Sequence, residues 1–158
     1  IEQLNQFKDK FRHQIIGIEK GAGMTKATEQ SIVDYQLDYK QINSSTIAMI
    51  TELQNAIRNK EWIVVAGWKP HWMFGKMELK FLEDPKKSFG ETEQIRTYSR
   101  KSFGKDHPEL MSFFSKIYFD DDEMTDLVTE MEGSTNKEET AKEWVKKNSK
   151  LVNSWLKK

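Results

Sequence analysis

Apolar positions between residues 14 and 67 form short continuous runs separated by stretches with helical spacing. The runs at residues 14–18 and 62–67 predict strands, and the short segment 39–45 between the two helices predicts another. The stretch 24–38 predicts one helix, and Ile50, Leu53 and Ile57 predict a second, with Asn43, Ser44 or Ser45 available to cap it. Because the order is strand, helix, strand, helix, strand, we expect right-handed crossovers and a parallel sheet. The continuous run 62–67 indicates a strand covered on both faces.

The second half of the sequence becomes helical after two more strand-like segments. Residues 77–84 and 94–100 predict further strands. Three helix starts follow, each marked by an acidic or amide residue with glutamate three positions later. These pairs are Asp106 with Glu109, Asp120 with Glu123, and Asn136 with Glu139. Gly133 is expected to end the second of these helices, and one long last helix is expected to carry Ala141, Trp144, Val145, Val152 and Trp155.

These elements predict one α/β domain, residues 1–158, with a helical C-terminal part. Residues 1–12 have weak helical spacing or form a hinge, and residues 134–158 form the C-terminal helices. The length of 158 residues suits one domain with a proper core. No apolar run approaches the roughly 18 residues of a membrane span. The first residue is Ile, so we expect an excised or processed piece of a longer protein.

Composition excludes several kinds of chemistry. Lysine plus arginine and aspartate plus glutamate both number 25, and this balance disfavours a nucleic-acid partner. The chain has no cysteine, so disulfides, thiolate nucleophiles and zinc–thiolate sites are excluded, although the compartment stays open. The acidic run 120–123 is interpreted as a helix start in solvent, with calcium binding as the lesser alternative.

Two features are predicted to converge at one edge of the sheet. Gly21 and Gly23 lie between the first strand and its helix, so the amides of Gly23 and Met24 should point out of a helix N-terminus and favour an anion. Trp68 follows the third strand. Because parallel strands end at the same edge, we expect this indole beside the amides. An indole face attracts quaternary ammonium groups, so the pair suits a small zwitterion.

Each feature also has a structural explanation. The Gly-Ala-Gly motif is weak, and a tryptophan after a strand is more often a core residue than a ligand contact. His71, beside Pro70, is interpreted as a turn histidine. The other aromatic residues interpreted as packing residues are Trp62, Trp144 and Trp155.

Three segments together resemble the glycine-betaine-binding proteins of osmoprotective ABC importers. They are IIGIEKGAGMTKATEQSIVDYQLDY, GWKPHWMFGKMELKFLEDPKKSFG and IRTYSRKSF. The resemblance implies one three-layer lobe of a type II periplasmic-binding-protein-like fold, a protein that closes on its ligand. It also implies a cage of three tryptophans around the trimethylammonium, with Trp68 as one of them. Gly23 and Met24 match the residues whose amides hold the carboxylate, whereas His71 and Trp72 match motif positions without direct ligand contact.

The sequence departs from this family in length. A complete family member supplies the other cage tryptophans and a carboxylate-binding side chain from a second lobe, which we expect to be missing here. Residues 1–12 resemble the end of that other lobe, as in importers whose binding domain is fused behind the permease. The resemblance thus implies an ABC permease as partner, the extracellular face of the membrane as location, and no cofactor. Glycine betaine is the expected ligand, with proline betaine, choline and carnitine also open.

Two alternatives stay open at this point. A hydrolase or metal site would use His71 with Glu78 or Asp84, but the sequence has no nucleophile motif and its three histidines are scattered. An interaction module that binds methylated side chains would use the same indole chemistry.

Overall fold

The first three predicted strands meet in a small parallel sheet. In the computed structural model, which describes residues 1–91 and 93–157, β1 (Gln14–Ile16) pairs in parallel with β2 (Lys40–Ile42). Residues 64–66 join the other side of β1: the Ile16 amide donates to the Val64 carbonyl at 2.9 Å, and the Ala66 amide donates to the Ile16 carbonyl at 2.8 Å. This bridge is also parallel. The predicted parallel pairing of these three segments is therefore confirmed, with β1 in the middle.

Two helices make the connections between these strands. A short 3-10 helix, Leu4–Phe7, comes first, and α1 (Gly23–Asp34) and α2 (Thr46–Asn59) follow β1 and β2. Ser45 is the N-cap of α2, because its hydroxyl accepts the Ala48 amide at 3.1 Å. The prediction that α1 extends to residue 38 is wrong. The helix stops at Asp34, and Gln36 takes a left-handed conformation with φ of 49°.

The core is divided between the two faces of the sheet. Neighbouring residues of a strand point to opposite faces, and Ile15 and Ile16 accordingly belong to different buried clusters. One cluster contains Leu4, Ile15, Tyr35, Leu37 and Tyr39. The other, called the Met49 cluster below, contains Ile16, Ile18 and Met49.

The chain divides into two compact units. The first unit comprises residues 1–68 and 80–91, and it contains the sheet, α1 and α2. The second unit comprises residues 69–79 and 93–157 and is helical. The helices of the second unit are α3 (Met73–Lys76), α4 (Phe103–Asp106), α5 (Pro108–Lys116), α6 (Asp121–Gly133), α7 (Lys137–Lys147) and α8 (Ser149–Leu156).

Among the described residues, every helix is too short or too polar to span a membrane.

Two of the three predicted helix caps are confirmed. Asp120 and Glu123 form a reciprocal capping box at the start of α6, and α6 ends at Gly133 as expected. Asn136 caps α7 by accepting the Glu139 amide at 3.2 Å.

The third predicted cap, at Asp106, is wrong. Pro108 occupies the first position of α5, and its ring disfavours helical backbone at the residue before it. His107 therefore takes φ of −138° and ψ of 65°, and it is the residue that precedes α5. Asp106 instead ends α4, and its carboxylate pairs with Arg100.

The prediction of a single last helix is also wrong. The helix is interrupted at Asn148, which lies between α7 and α8. The Asn148 side chain donates to the Trp144 carbonyl at 3.0 Å, and the Asn148 amide donates to the same oxygen at 2.9 Å. An asparagine that binds its own helix backbone in this way competes with helix continuation.

Three strand predictions need correction. Residues 77–84 and 94–100 are not strands, and of residues 62–67 only Val65 forms a bridge. A strand needs a neighbour for its backbone groups, and neither 77–84 nor 94–100 has a ladder partner within the described part of the chain. The run 62–67 is covered on both faces as predicted, since Val64 packs against one buried cluster and Ile63 and Val65 pack against the other, whereas Trp62 at its start is 47% exposed.

Candidate functional site

The predicted anion site lies where β1 leads into α1. The connection needs Gly21, whose φ of +93° is in the left-handed region that glycine tolerates. Ala22 precedes α1 with extended backbone, and no side chain caps the helix. The first turn of α1 contains no acidic residue either. The amides at the start of this helix are therefore not satisfied by a side chain of the first turn, and an anion is the favoured occupant.

Glu19 is the nearest candidate in sequence to supply that anion, but its carboxylate is used elsewhere. It accepts the Thr46 amide at 2.9 Å and the Thr46 hydroxyl at 3.0 Å, and so supports the start of α2. The Thr46 amide is the largest influence that lowers the pKa of Glu19, so the group stays ionised there. This contact joins residues 27 positions apart in sequence, and no local pattern predicted it.

Gly23 presents an open surface at this helix start. It is exposed, and a Cβ atom added to it would meet no atom within 4 Å. An approaching molecule can thus reach the backbone of Gly23 without displacing a side chain.

Trp68 packs against a buried cluster that Met24, in the first turn of α1, also contacts. It follows Ala66, whose amide is bound to β1, and its half-buried side chain packs against the Met49 cluster. Met24 packs against that cluster too. The structure therefore brings Met24 and Trp68 to one buried cluster at the carboxyl end of the strands, with Gly23 immediately before Met24. Their roles in binding stay predictions.

His71 and Trp72 belong to the second unit and have structural partners. The Met73 amide donates to Nδ1 of His71 at 3.2 Å, which agrees with a turn histidine. Partial burial lowers the pKa of His71 more than the nearby Glu132 raises it, so the ring is favoured in its neutral form. Lys76 lies over the Trp72 ring, with its Nζ 5.3 Å from the ring centroid.

The remaining tryptophans differ from one another. Trp144 and Trp155 are each 7% exposed and contact Phe119, as expected of packing residues. Trp62 packs on Phe7 and Phe11, but nearly half of its surface stays exposed. It also lines a cavity of about 270 Å³ near the amino end of β1, which nothing in the sequence indicated.

The alternative site around Asp84 is engaged in structural bonds. Its carboxylate accepts the Tyr35 hydroxyl at 2.6 Å and the Phe89 amide at 2.9 Å. Burial raises the pKa of Asp84, but these hydrogen bonds outweigh burial and lower it overall. In the described residues, no group of three or more histidine or acidic side chains is placed to hold a metal ion.

The sequence is similar to those of proteins named for glycine betaine transport. Residues 1–147 match the family described as the substrate binding domain of ABC-type glycine betaine transport system. The glycine betaine/carnitine transport binding protein GbuC of Listeria monocytogenes serotype 1/2a (strain 10403S) is 39% identical over 150 residues. That alignment covers 93% of this chain and 50% of GbuC, so the chain spans about half the length of this relative.

Solved structures of similar proteins share the fold. Lactococcal OpuAC, in its closed-liganded conformation complexed with glycine betaine, superposes with a TM-score of 0.84 at 37% identity, over 99% of this chain and 61% of that chain. The glycine/betaine/L-proline-binding protein ProX from Borrelia burgdorferi gives a TM-score of 0.79 at 35% identity, over 100% of this chain and 61% of that chain.

Proposed function

We propose that this chain provides one side of a binding site for a small quaternary-ammonium zwitterion. The chain belongs to the family of substrate-binding domains of ABC-type glycine betaine transport systems. The family consists of transport binding proteins rather than enzymes. Glycine betaine is the first candidate ligand, and proline betaine, carnitine and choline are related candidates. The names of both GbuC and the lactococcal structure include glycine betaine, which supports this choice.

The observation that carries the proposal is the shared packing of Met24 and Trp68 against the Met49 cluster. The uncapped start of α1 favours a carboxylate, which would accept hydrogen bonds from the amides of Gly23 and Met24. The indole face of Trp68 favours a cation that cannot donate hydrogen bonds, such as trimethylammonium. A betaine has both groups a few atoms apart, so one small molecule satisfies both preferences.

The rest of the site is proposed to come from protein outside this chain. A single indole covers only one side of a trimethylammonium group, and the chain spans 50% of GbuC and 61% of the lactococcal structure. We infer that a second lobe supplies the other aromatic walls and closes on the ligand. The proposed partner of the assembled protein is an ABC permease, at the extracellular face of the cell membrane.

Gly23 offers a precise test of the carboxylate contact. Proline suits the first position of a helix, the preceding Ala22 has extended backbone with ψ of 147°, and there is open space at Gly23. Gly23→Pro thus removes one amide donor and preserves α1, whereas Gly23→Ala retains the donor. In the full-length protein that carries this sequence, we expect Gly23→Pro to weaken glycine betaine binding by about 1.5–3 kcal/mol, the range for a hydrogen bond to a charged group.

Isothermal titration calorimetry measures the difference. Gly23→Ala should bind glycine betaine like the unmodified protein, and choline, which has no carboxylate, should bind both variants equally. If the two variants have the same affinity for glycine betaine, the Gly23 amide does not hold the carboxylate. Stronger heat with a trimethyllysine peptide than with glycine betaine would favour an interaction module instead.

A further inference from the structure

Residues 94–100 of the second unit form an extended segment that lies open to solvent. Every residue of this segment is exposed, and Ile95 and Tyr98 are 79% and 90% exposed. Isoleucine, threonine and tyrosine favour strands, and the segment contains all three between Gln94 and Arg100. Its composition is therefore that of a strand, although its surroundings contain no sheet.

The backbone of this segment lacks the pairing that a strand requires. In the ranges that the structure describes, no backbone hydrogen bond involves the amides or carbonyls of residues 94–99. The hydrogen bonds it makes are local: Arg96 donates to the Gln94 side chain at 2.8 Å, and Arg100 contacts Ser102 and Asp106. A row of unpaired amides and carbonyls is a template for another strand.

The helices of the second unit are similarly incomplete. The buried hydrophobic side chains of its described residues are Met73, Trp144 and Trp155. Several large apolar side chains of its helices and loops are at least 40% exposed: Leu110, Met111, Phe114, Tyr118, Val145 and Leu156. A unit of this size needs a larger core to be stable alone. The surface formed by these side chains therefore needs a cover, as the extended segment needs a partner.

Charge and length together indicate which strand pairs with residues 94–100. In an antiparallel pair of two copies centred on Tyr98, Arg96 of each copy would lie opposite Arg100 of the other, and like charges directly opposite each other are destabilising. The family relatives are considerably longer, since this chain covers 50% of one and 61% of two others. We propose that residues 94–100 form a strand in the full-length protein, paired with a strand from the part of the protein outside this chain.

This inference does not depend on the ligand, so it stands or fails separately from the betaine proposal. Hydrogen–deuterium exchange tests it in two samples, the 158-residue chain and the full-length protein that carries this sequence, both without ligand. We expect the amides of residues 95–100 to exchange freely in the chain and about 100-fold or more slowly in the full-length protein.

A matched pair of substitutions adds a second readout. Ile95 and Ile47 are 79% and 78% exposed, so Ile95→Ala and Ile47→Ala remove the same atoms from equally open positions. In the 158-residue chain neither should change Tm appreciably. In the full-length protein Ile95→Ala should lower Tm by at least about 2–4 °C, as expected when a position becomes buried, and Ile47→Ala should leave it unchanged.

Each other outcome overturns the proposal. Free exchange of residues 95–100 in both samples would show that the segment remains an unpaired loop. Protection in the 158-residue chain, with a dimer by light scattering, would identify a second copy as the partner. Protection in a monomeric chain would show pairing inside the chain itself.

Discussion

Trp62 and Trp68 lie on the two sides of the segment that bridges to β1, and they have different surroundings. Trp62 is near the amino end, where Lys10 places its Nζ 4.5 Å from the indole centroid and Phe7 and Phe11 pack nearby. Trp68 follows the carboxyl end of this segment and packs, as Met24 does, against the Met49 cluster, and Met24 belongs to the first turn of α1, whose start has no side-chain cap.

The difference shows that exposure of an indole does not by itself indicate a ligand site. Trp62 is 47% exposed and lines a cavity, yet its ring already has a cation from the chain itself. Trp68 is half-buried, but it packs against the same cluster as Met24, which lies in the first turn of a helix whose start favours an anion. The neighbouring groups, rather than the exposed area, make the carboxyl end the better candidate for a zwitterion.

The largest expected effect comes from measuring ligand binding by this chain without the rest of the full-length protein. We expect the 158-residue chain to bind glycine betaine with millimolar or undetectable affinity. A cation–π contact at an exposed site contributes about 0.5–1 kcal/mol, and a helix dipole near water contributes a similarly small amount. Together they scarcely offset the cost of immobilising the ligand. Calorimetric titration checks this, and a low micromolar dissociation constant would mean that this chain or a pair of copies forms a complete site.

Met49 is expected to stabilise both the fold and the cluster against which Met24 and Trp68 pack. Its side chain is fully buried in the cluster that supports Met24 and Trp68. Met49→Ala should lower the free energy of unfolding by about 2–5 kcal/mol through a lost side chain and a cavity. Ile57→Ala, in the same helix at a position 45% exposed, is the control and should cost less. Equal losses in urea denaturation would contradict the assignment of Met49 as the support of this end.

The smallest effect concerns pH and the amino end of β1. Hydrogen bonds with the Asp9 side chain and the Asp38 carbonyl raise the pKa of His13 above its ordinary value. Because the folded pKa is the higher one, the contribution of His13⁺ is fully present below about pH 6.5 and is lost as pH rises through the raised value. Chemical denaturation across this range should show a small fall in stability that His13→Gln lacks. The affinity of the full-length protein for glycine betaine should not change as His13 titrates. If it changed over the same pH range, the amino end of β1 and the Trp68 site would not be independent.

The sequence predicted best those features that depend on local groups or on the order of elements. The caps at Ser45, Asp120 and Asn136 need only neighbouring amides, and all three are present. The parallel order followed from the alternation of predicted strands and helices. It was enough to bring Met24 and Trp68 to one cluster.

The wrong predictions depended on competing or distant groups. The helix start at Asp106 failed because Pro108 excludes helical backbone at the preceding residue. The strands at 77–84 and 94–100 failed because strand propensity cannot supply a partner. The use of Glu19 at Thr46 was missed because it joins positions that are distant in sequence.

The most direct test of the central claim measures affinity and stability for two substitutions in the full-length protein. Trp68→Ala should weaken glycine betaine binding by about 1–3 kcal/mol, through loss of the cation–π contact and of packing. Trp62→Phe should leave affinity nearly unchanged while lowering thermal stability, because it reduces contact with Phe7 and Phe11. Titration calorimetry with glycine betaine gives both affinities. If the two substitutions change affinity equally, Trp68 is not the cation-binding residue.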